Sequence, residues 1–377
     1  MIKECYHRNT LLPGWDQNRL THSTVIVMGM GALGNAVAQS LALSGIGHLI
    51  LCDMDRIEMS NLSRAPLFKE SDVGAYKVDA AARTLSQISP DIQIETRNRP
   101  FEYAIGLAEL RDADLVMGCL DSRSARLELA GRCGLVSTPW IDGATGEWSG
   151  EIRPYLDLPD GPCFGCGLSD ETRATPDISR SCRIHDENLP VGSTAPLSMV
   201  VGNEMALIAV RWLMGLDVKR DIMILNGSNG EIYPLQHQRS LSCPYHQPIH
   251  SVKKIFLDHT ATVSQLRDEL GNDAHPLTWK PFQVSAHCRT CDYISNQVGV
   301  IRPSNCPKCK HLLFPRTQLD IFRAPQNTSL KTLGVAPGEI LPVKIGDQIN
   351  FVEFAKVFTD FAKVSPSISH DYWGVLI

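Results

Sequence analysis

The apolar run Val25-Ile26-Val27-Met28 ends abruptly on Gly29-Met30-Gly31-Ala32-Leu33-Gly34, and this junction constrains the fold more than any other stretch of the chain. Consecutive apolar residues without polar alternation suit a strand buried on both faces, as in a parallel sheet. The glycines supply a tight turn, and the apolar residues from Ala36 to Leu43 then fall at helical spacing. A second apolar strand, His48-Leu49-Ile50-Leu51-Cys52, ends on Asp53, which completes a βαβ unit of the dinucleotide-binding type. Further runs, Ile92 to Glu95, Ala113 to Cys119 and Val136 to Ile141, alternate with helical segments over Lys77 to Ser89 and Ser122 to Cys133, so the sheet is expected to continue. The first half reads as α/β. From about Gly143 shorter, turn-rich strands follow, Glu151 to Leu156 and Ile222 to Asn226, around a helix over Pro196 to Leu216.

The Gly29, Gly31 and Gly34 turn brings backbone N–H groups to a helix N-terminus, where the dipole and the unpaired donors favour a phosphate. Asp53 lies 19 residues beyond Gly34, where an acidic side chain can accept from ribose hydroxyls. On these residues alone a nicotinamide dinucleotide and ATP are equally open. The next stretch separates them. Asp53-Met54-Asp55 leads through Ser60-Asn61-Leu62-Ser63-Arg64 to Gly74-Ala75-Tyr76-Lys77. That adds an amide and two cations, more positive charge than a nicotinamide cofactor requires.

Asx-Leu-x-Arg after a D-x-D strand end, followed by Gly-x-x-Lys, resembles the ThiF/MoeB/HesA superfamily, whose members include the ubiquitin-activating enzymes. The resemblance implies a Rossmann-like adenylation domain with a mixed sheet that uses ATP and magnesium to adenylate the C-terminal glycine of a ubiquitin-like carrier protein. It gives Asp53 the ribose and gives Asn61, Arg64 and Lys77 the phosphates. Asp121, in Cys119-Leu120-Asp121-Ser122, would position magnesium; it also follows an apolar strand, at the sheet end where ligand groups gather. Tyr6-His7-Arg8-Asn9 with Leu11-Leu12-Pro13-Gly14 matches the superfamily's N-terminal segment, which makes Arg8 an arginine finger that many relatives take from the neighbouring subunit. A homodimer is expected. The attacking carboxylate is already ionised, so positioning and charge neutralisation suffice without a general base.

Twelve cysteines would suggest disulfides in a secreted chain, but here most of them cluster at metal-ligand spacing. Cys163, Cys166, Cys243 and His246 offer four donors in two tight pairs, which suits a closed structural zinc site; relatives carry Cys-x-x-Cys pairs in corresponding places. Cys288 and Cys291, then Cys306 and Cys309, have zinc-ribbon spacing within about residues 284–313. Cys182 lies in the charged stretch Ser179-Arg180-Ser181-Cys182-Arg183. Members that go beyond adenylation use a cysteine of this crossover loop to form a thioester with the carrier, and Arg180 and Arg183 would favour its thiolate. Cys52, Cys119 and Cys133 sit in apolar patterns and read as core.

A linker at Gln247-Pro248-Ile249-His250-Ser251 divides the chain into residues 1–250, the adenylation domain, and residues 251–377. The second part holds a strand over Lys253 to Leu257, a helix over Thr262 to Leu270, a strand before the ribbon and another over Leu319 to Phe322. Ser329 to Val343 resembles the late loop and last strands of a ubiquitin-like β-grasp, so the expectation is a small β-grasp-like domain with the ribbon inserted. Ubiquitin-activating enzymes recruit the conjugating enzyme with a terminal ubiquitin-fold domain, and the same role is expected here. No rhodanese-like segment follows the first domain, and the chain ends Tyr372-Trp373-Gly374-Val375-Leu376-Ile377 rather than in Gly-Gly. The expectation is therefore ubiquitin-like conjugation by an enzyme that is not itself the carrier. A sulfur-carrier adenylyltransferase for molybdopterin or thiamine synthesis is the alternative, and a nicotinamide dehydrogenase and a non-catalytic scaffold are the readings of other classes.

Charge and hydropathy bound the partners. Thirty-six basic against 41 acidic residues, dispersed along the chain for a net charge of −5, argue against nucleic acid and membrane surfaces. Met1-Ile2-Lys3-Glu4-Cys5-Tyr6 lacks the apolar run of a secretory signal, so a cytoplasmic protein is expected. The most apolar helix carries Asn203, Glu204 and Arg211, which a lipid-facing span would have to bury.

Overall fold

The computed structural model describes residues 4–175 and 192–356, and the backbone of 363–364. Two short helices, α1 (His7–Thr10) and α2 (Gln17–His22), precede β1 (Thr24–Met28), α3 (Ala32–Leu43) and β2 (His48–Cys52). Then come α4 (Lys77–Ile88), β3 (Gln93–Arg97), α5 (Phe101–Ala104), α6 (Leu107–Asp112), β4 (Leu115–Gly118), α7 (Arg123–Val136) and β5 (Trp140–Thr145). β6 (Ser149–Tyr155), α8 (Asp170–Ala174), α9 (Ala195–Leu213), β7 (Ile222–Asn226) and β8 (Glu231–Leu235) follow. After them lie β9 (Lys253–Lys254), α10 (Val263–Leu270), β10 (Ala274–His287), β11 (Ile294–Ser295), β12 (Gly299–Val300), β13 (Phe314–Asp320), β14 (Ile340–Ile345), β15 (Gln348–Glu353) and β16 (Lys363–Val364).

The first sheet has the order β16-β3-β2-β1-β4-β5-β6-β7-β8. β3 to β5 pair in parallel and β5 to β8 antiparallel, so the sheet is mixed, as expected. β1 shows why its sequence is continuously apolar. Val25 and Val27 face one core with α3, α4 and α9, while Ile26 and Met28 face the other with α5, α6 and α7. Chain order runs outward from β1 through β2 to β3, then returns to β4 on the other side of β1. The resulting switch point lies between the C-terminal ends of β1 and β4, where open α/β sheets form a crevice.

The second sheet has the order β11-β10-β14-β15-β9, with β12 and β13 also paired to β10. β9 runs parallel to β15, and α10 places Val263 and Leu266 in a core with Phe282, Leu330 and Val352. Three strand expectations shift. Val136 ends α7, Ser137 turns left-handed at φ 55°, and the strand runs from Trp140 to Thr145 rather than over Val136 to Ile141. Of the strand expected at Lys253 to Leu257, the ladder covers Lys253 and Lys254, while the Ile255 amide donates to the Glu353 carbonyl and the Leu257 carbonyl accepts from the Ala355 amide as the chain leaves it. β13 ends at Asp320, whose side chain accepts from the Phe322 amide and starts a 3-10 turn in place of the expected strand end. Among the described residues no helix is long and apolar enough to cross a membrane.

Candidate nucleotide site and metal centres

Two of the three glycines are required by the protein itself. Gly29 has φ +93°, and a Cβ there would lie 2.3 Å from the Cys119 carbonyl oxygen at the end of β4. A Cβ on Gly34 would lie 1.9 Å from the Gly29 carbonyl oxygen. Gly31 is different: a Cβ would meet nothing within 4 Å, and as N-cap of α3 it supplies no side-chain acceptor to the first helical turn. The space beside Gly31 at that helix end is open, which fits a phosphate approaching the backbone.

Asp53 and Lys77 lie beside this turn, and Asp121 follows the strand end packed against it. Asp53, at the end of β2, accepts from the Met30 amide at 2.7 Å through Oδ2 and from the Asp55 amide at 2.8 Å through Oδ1. Burial pushes its carboxyl above the usual range, against the pull of Lys77 and of these two amides. Lys77, the first residue of α4, lies 2.8 Å from Asp55 Oδ2 and 4.0 Å from Asp53 Oδ2. Burial works against its charge, but Asp53, Asp55 and Asp121 outweigh it and hold the ammonium above the ordinary lysine range. Asn61 accepts from the Glu58 amide at 3.0 Å, and Arg64 donates to the Ser60 carbonyl, so both lie on one short turn. Asp121 is exposed just beyond β4. Asn35 escaped the sequence reading. Its buried amide donates to the Met30 and Gly31 carbonyls, and its oxygen accepts from the Leu67 amide at 2.9 Å, which ties the glycine turn to the Arg64 loop. The available signal was a polar residue inside the apolar helix run.

The cysteine pairs also converge. Cys163 Sγ lies 3.8 Å from Cys166 Sγ and 3.6 Å from Cys243 Sγ, and Cys166 Sγ lies 3.0 Å from His246 Nε2. Tetrahedral zinc with sulfur ligands at about 2.3 Å spaces them about 3.8 Å apart, which these distances approach. His246 Nδ1 lies 2.9 Å from the Pro159 carbonyl; donating there leaves Nε2 free for a metal. In the ribbon, Cys288 and Cys309 are 3.4 Å apart and Cys291 and Cys306 3.5 Å. Each set of four ligand atoms lies within 4.8 Å, and the donor chemistry of both fits zinc.

The ThiF family profile matches residues 6–244. The chain belongs to the ThiF family. It is 33% identical over 217 residues to the molybdopterin-synthase adenylyltransferase of Escherichia coli (strain K12), covering 56% of this chain and 82% of that one. It is 28% identical to the sulfur carrier protein ThiS adenylyltransferase of the same organism, covering 60% of this chain and 87% of the relative. The ubiquitin-like modifier-activating enzyme 5 of Drosophila grimshawi is 34% identical over 165 residues, but the match spans only 41% of that protein. The crystal structure of E. coli MccB with ATP shares the fold, with a TM-score of 0.54 at 21% identity over 65% of this chain and 74% of MccB.

In this ThiF-family chain Arg8 stands apart from the nucleotide site. Cys182 lies outside the described residues. Arg8 is exposed on α1, whose segment is anchored at the far end of α3 from the glycine turn: a Cβ on Gly45 would meet the Tyr6 ring, and Gln17 donates to the Ser44 and Gly45 carbonyls. A helix of that length separates the two ends by about 18 Å.

Proposed function

We propose that this chain adenylates the C-terminal glycine carboxylate of a ubiquitin-like or sulfur-carrier protein, using ATP and magnesium. The observation that carries the reading is an open glycine turn beside Asp53 at one switch point, with Lys77 against Asp53 and Asp121 near enough to act on Lys77; Asn61 and Arg64 would join them from the loop that Asn35 ties to the turn. Asp53 would take the ribose, and the amide and two cations would take the phosphates. Bound at Asp121, magnesium would neutralise triphosphate charge. Lys77 would leave Asp55 for a phosphate oxygen, exchanging one charge-assisted partner for another. The carrier would dock on the exposed end of the sheet, where Trp148, Ile232 and Tyr233 are 60%, 57% and 49% exposed.

The position of Arg8 supports a homodimer in which the finger is supplied across the interface. Val200 and Leu207, seven residues apart on one face of α9, are 51% and 53% exposed and form a stripe that a second copy would cover. The division near residue 250, the two structural zinc ions, a β-grasp-like C-terminal domain that recruits a conjugating-enzyme-like partner, and thioester capture on Cys182 complete the reading. A second reading, sulfur-carrier adenylation without a thioester, is favoured by the 82% and 87% coverage of relatives named for that chemistry.

Non-reducing mass spectrometry after incubation with ATP, magnesium and a panel of Gly-Gly-ended carriers separates these readings. A carrier thioester on wild type that is absent from Cys182→Ala supports conjugation, and an adenylated carrier without that adduct supports sulfur transfer. No adenylate with any carrier, despite ATP binding, counts against adenylation.

A further inference from the structure

Asp121 sits on the loop between β4 and α7, and that loop is held by one guanidinium. Arg126 Nη2 donates to the carbonyl of Leu120, the residue before Asp121, and to the Gly143 carbonyl at 3.3 Å. Arg126 Nε donates to Asp142 Oδ1 at 3.1 Å. Asp142 is wholly buried on β5, and its Oδ2 accepts from Arg153 Nη1 on β6 at 2.7 Å. On the other side of Asp121, Ser122 caps α7 by accepting from the Ala125 amide at 3.2 Å. Asp121 is thus fixed between two anchored neighbours. The path continues outward, because the Arg153 guanidinium lies 5.6 Å from the centre of the Phe164 ring, between the metal ligands Cys163 and Cys166.

Stability alone does not explain this arrangement. A buried carboxylate between two guanidinium groups carries a desolvation penalty that apolar residues of similar volume would avoid. The fork of an arginine can hold two carbonyls and a carboxylate in one fixed geometry, which a lysine ammonium on a flexible stem cannot reproduce. The geometry fixes one thing in particular, the backbone on either side of Asp121 at the end of β4. Asp121 is also near enough for its charge to act on Lys77.

We infer that Arg126 is a positioning residue that sets Asp121 for the magnesium–nucleotide complex, and that Asp142 and Arg153 in turn fix Arg126. Arg126 would act through the Leu120 carbonyl rather than on the nucleotide or metal. The inference rests on the nucleotide-binding reading above.

Calorimetric titration of the full chain with ATP, once with magnesium and once with excess chelator, tests it without a carrier. Arg126→Gln is expected to weaken magnesium-ATP binding about tenfold or more while ATP alone changes less than about twofold, with Arg126→Lys in between. Asp121→Asn should show the same pattern, and adding Arg126→Gln to it should cost nothing further. Because Arg126→Gln leaves a buried carboxylate short of a partner, Arg126→Gln with Asp142→Asn provides a second variant, its folding checked by thermal melting. Equal losses with and without magnesium, unchanged binding, or an additive double variant would overturn the inference. A wild type that binds no ATP in either condition sinks the nucleotide reading and this inference with it; wild-type binding that Arg126→Gln leaves intact sinks only the inference.

Discussion

The two cysteine clusters offer similar donors to a metal but close very different lengths of chain. Cys163 and Cys243 are 80 positions apart, whereas the ribbon contacts span 21 and 15. Loop closure makes the longer crosslink worth only about 1.2 kcal/mol more, so entropy is the smaller part of the contrast. Surroundings are the larger part. Tyr245, beside the first cluster, lies on α7 so closely that a Cβ on Gly134 would sit 2.1 Å from its carbonyl oxygen. The ribbon instead encloses its own small core of Ala286, Cys288, Cys306 and Leu313. The first cluster is part of the main sheet's packing, and the second is self-contained.

Replacing one ligand in each cluster gives the largest contrast. Cys243→Ser should lower the stability of the first sheet by about 4 kcal/mol or more and weaken ATP binding with it. Cys306→Ser should release the ribbon's metal and loosen residues around it while ATP affinity stays as in wild type. Denaturant unfolding, zinc stoichiometry and nucleotide titration check both. Equal effects on ATP binding would break the distinction.

The same contrast shows what a sequence makes legible. What was readable of the glycine turn, Asp53, Asn61, Arg64, Lys77 and Asp121 is their place, because each is close in the chain to a strand end, a helix start or a short turn and so is set by local structure. The ribbon was readable for the same reason. Asn35, Asp142 and Arg126 were not, because their meaning depends on which carbonyl and carboxylate the tertiary fold brings beside them. Arg8 illustrates the limit from the other side: its motif was legible, but the folded chain carries it to the opposite end of α3. The strand at Val136 to Ile141 slipped because Val136 is still the last residue of α7, and the left-handed Ser137 that ends the helix is invisible to an apolar count.

The junction between the two regions offers the next test. Arg132 on α7 donates to Glu339 Oε2 at 2.9 Å, and the Leu107 amide donates to Glu339 Oε1 at 3.1 Å; both side chains are almost wholly buried. Glu339 opens onto β14, so this pair fastens the second sheet to the first. Arg132→Met alone should cost about 3–5 kcal/mol because it strands a buried carboxylate, whereas Arg132→Met with Glu339→Gln should recover most of that loss. Chemical denaturation of the single and double variants reads the difference. Two separated unfolding transitions in Arg132→Met would sharpen the comparison by showing that the regions fold independently, and a single transition with no recovery would count against the pair as the fastening.

The smallest effect is electrostatic and is confined to the first region. Glu95 on β3 is held down to about 2 by His48, whose Nε2 lies 3.6 Å from its carboxyl, and by Arg97, from an ordinary value of 4.5. A carboxylate whose folded value is depressed stabilises the fold fully above its unfolded value and loses that contribution as pH falls through the folded one. The Glu95 contribution is therefore complete above 4.5 and fades toward about 2. Buried Asp142, Glu109 and Glu339 shift upward and act in the opposite sense, so total acid stability cannot isolate it. The difference between wild type and His48→Asn can. With His48 partly exposed, that difference should be about 1 kcal/mol or less at pH about 5 and should shrink toward pH about 3. Urea titrations at the two pH values measure it, and a difference that stays constant or grows on acidification would remove His48 as the partner that holds Glu95 ionised.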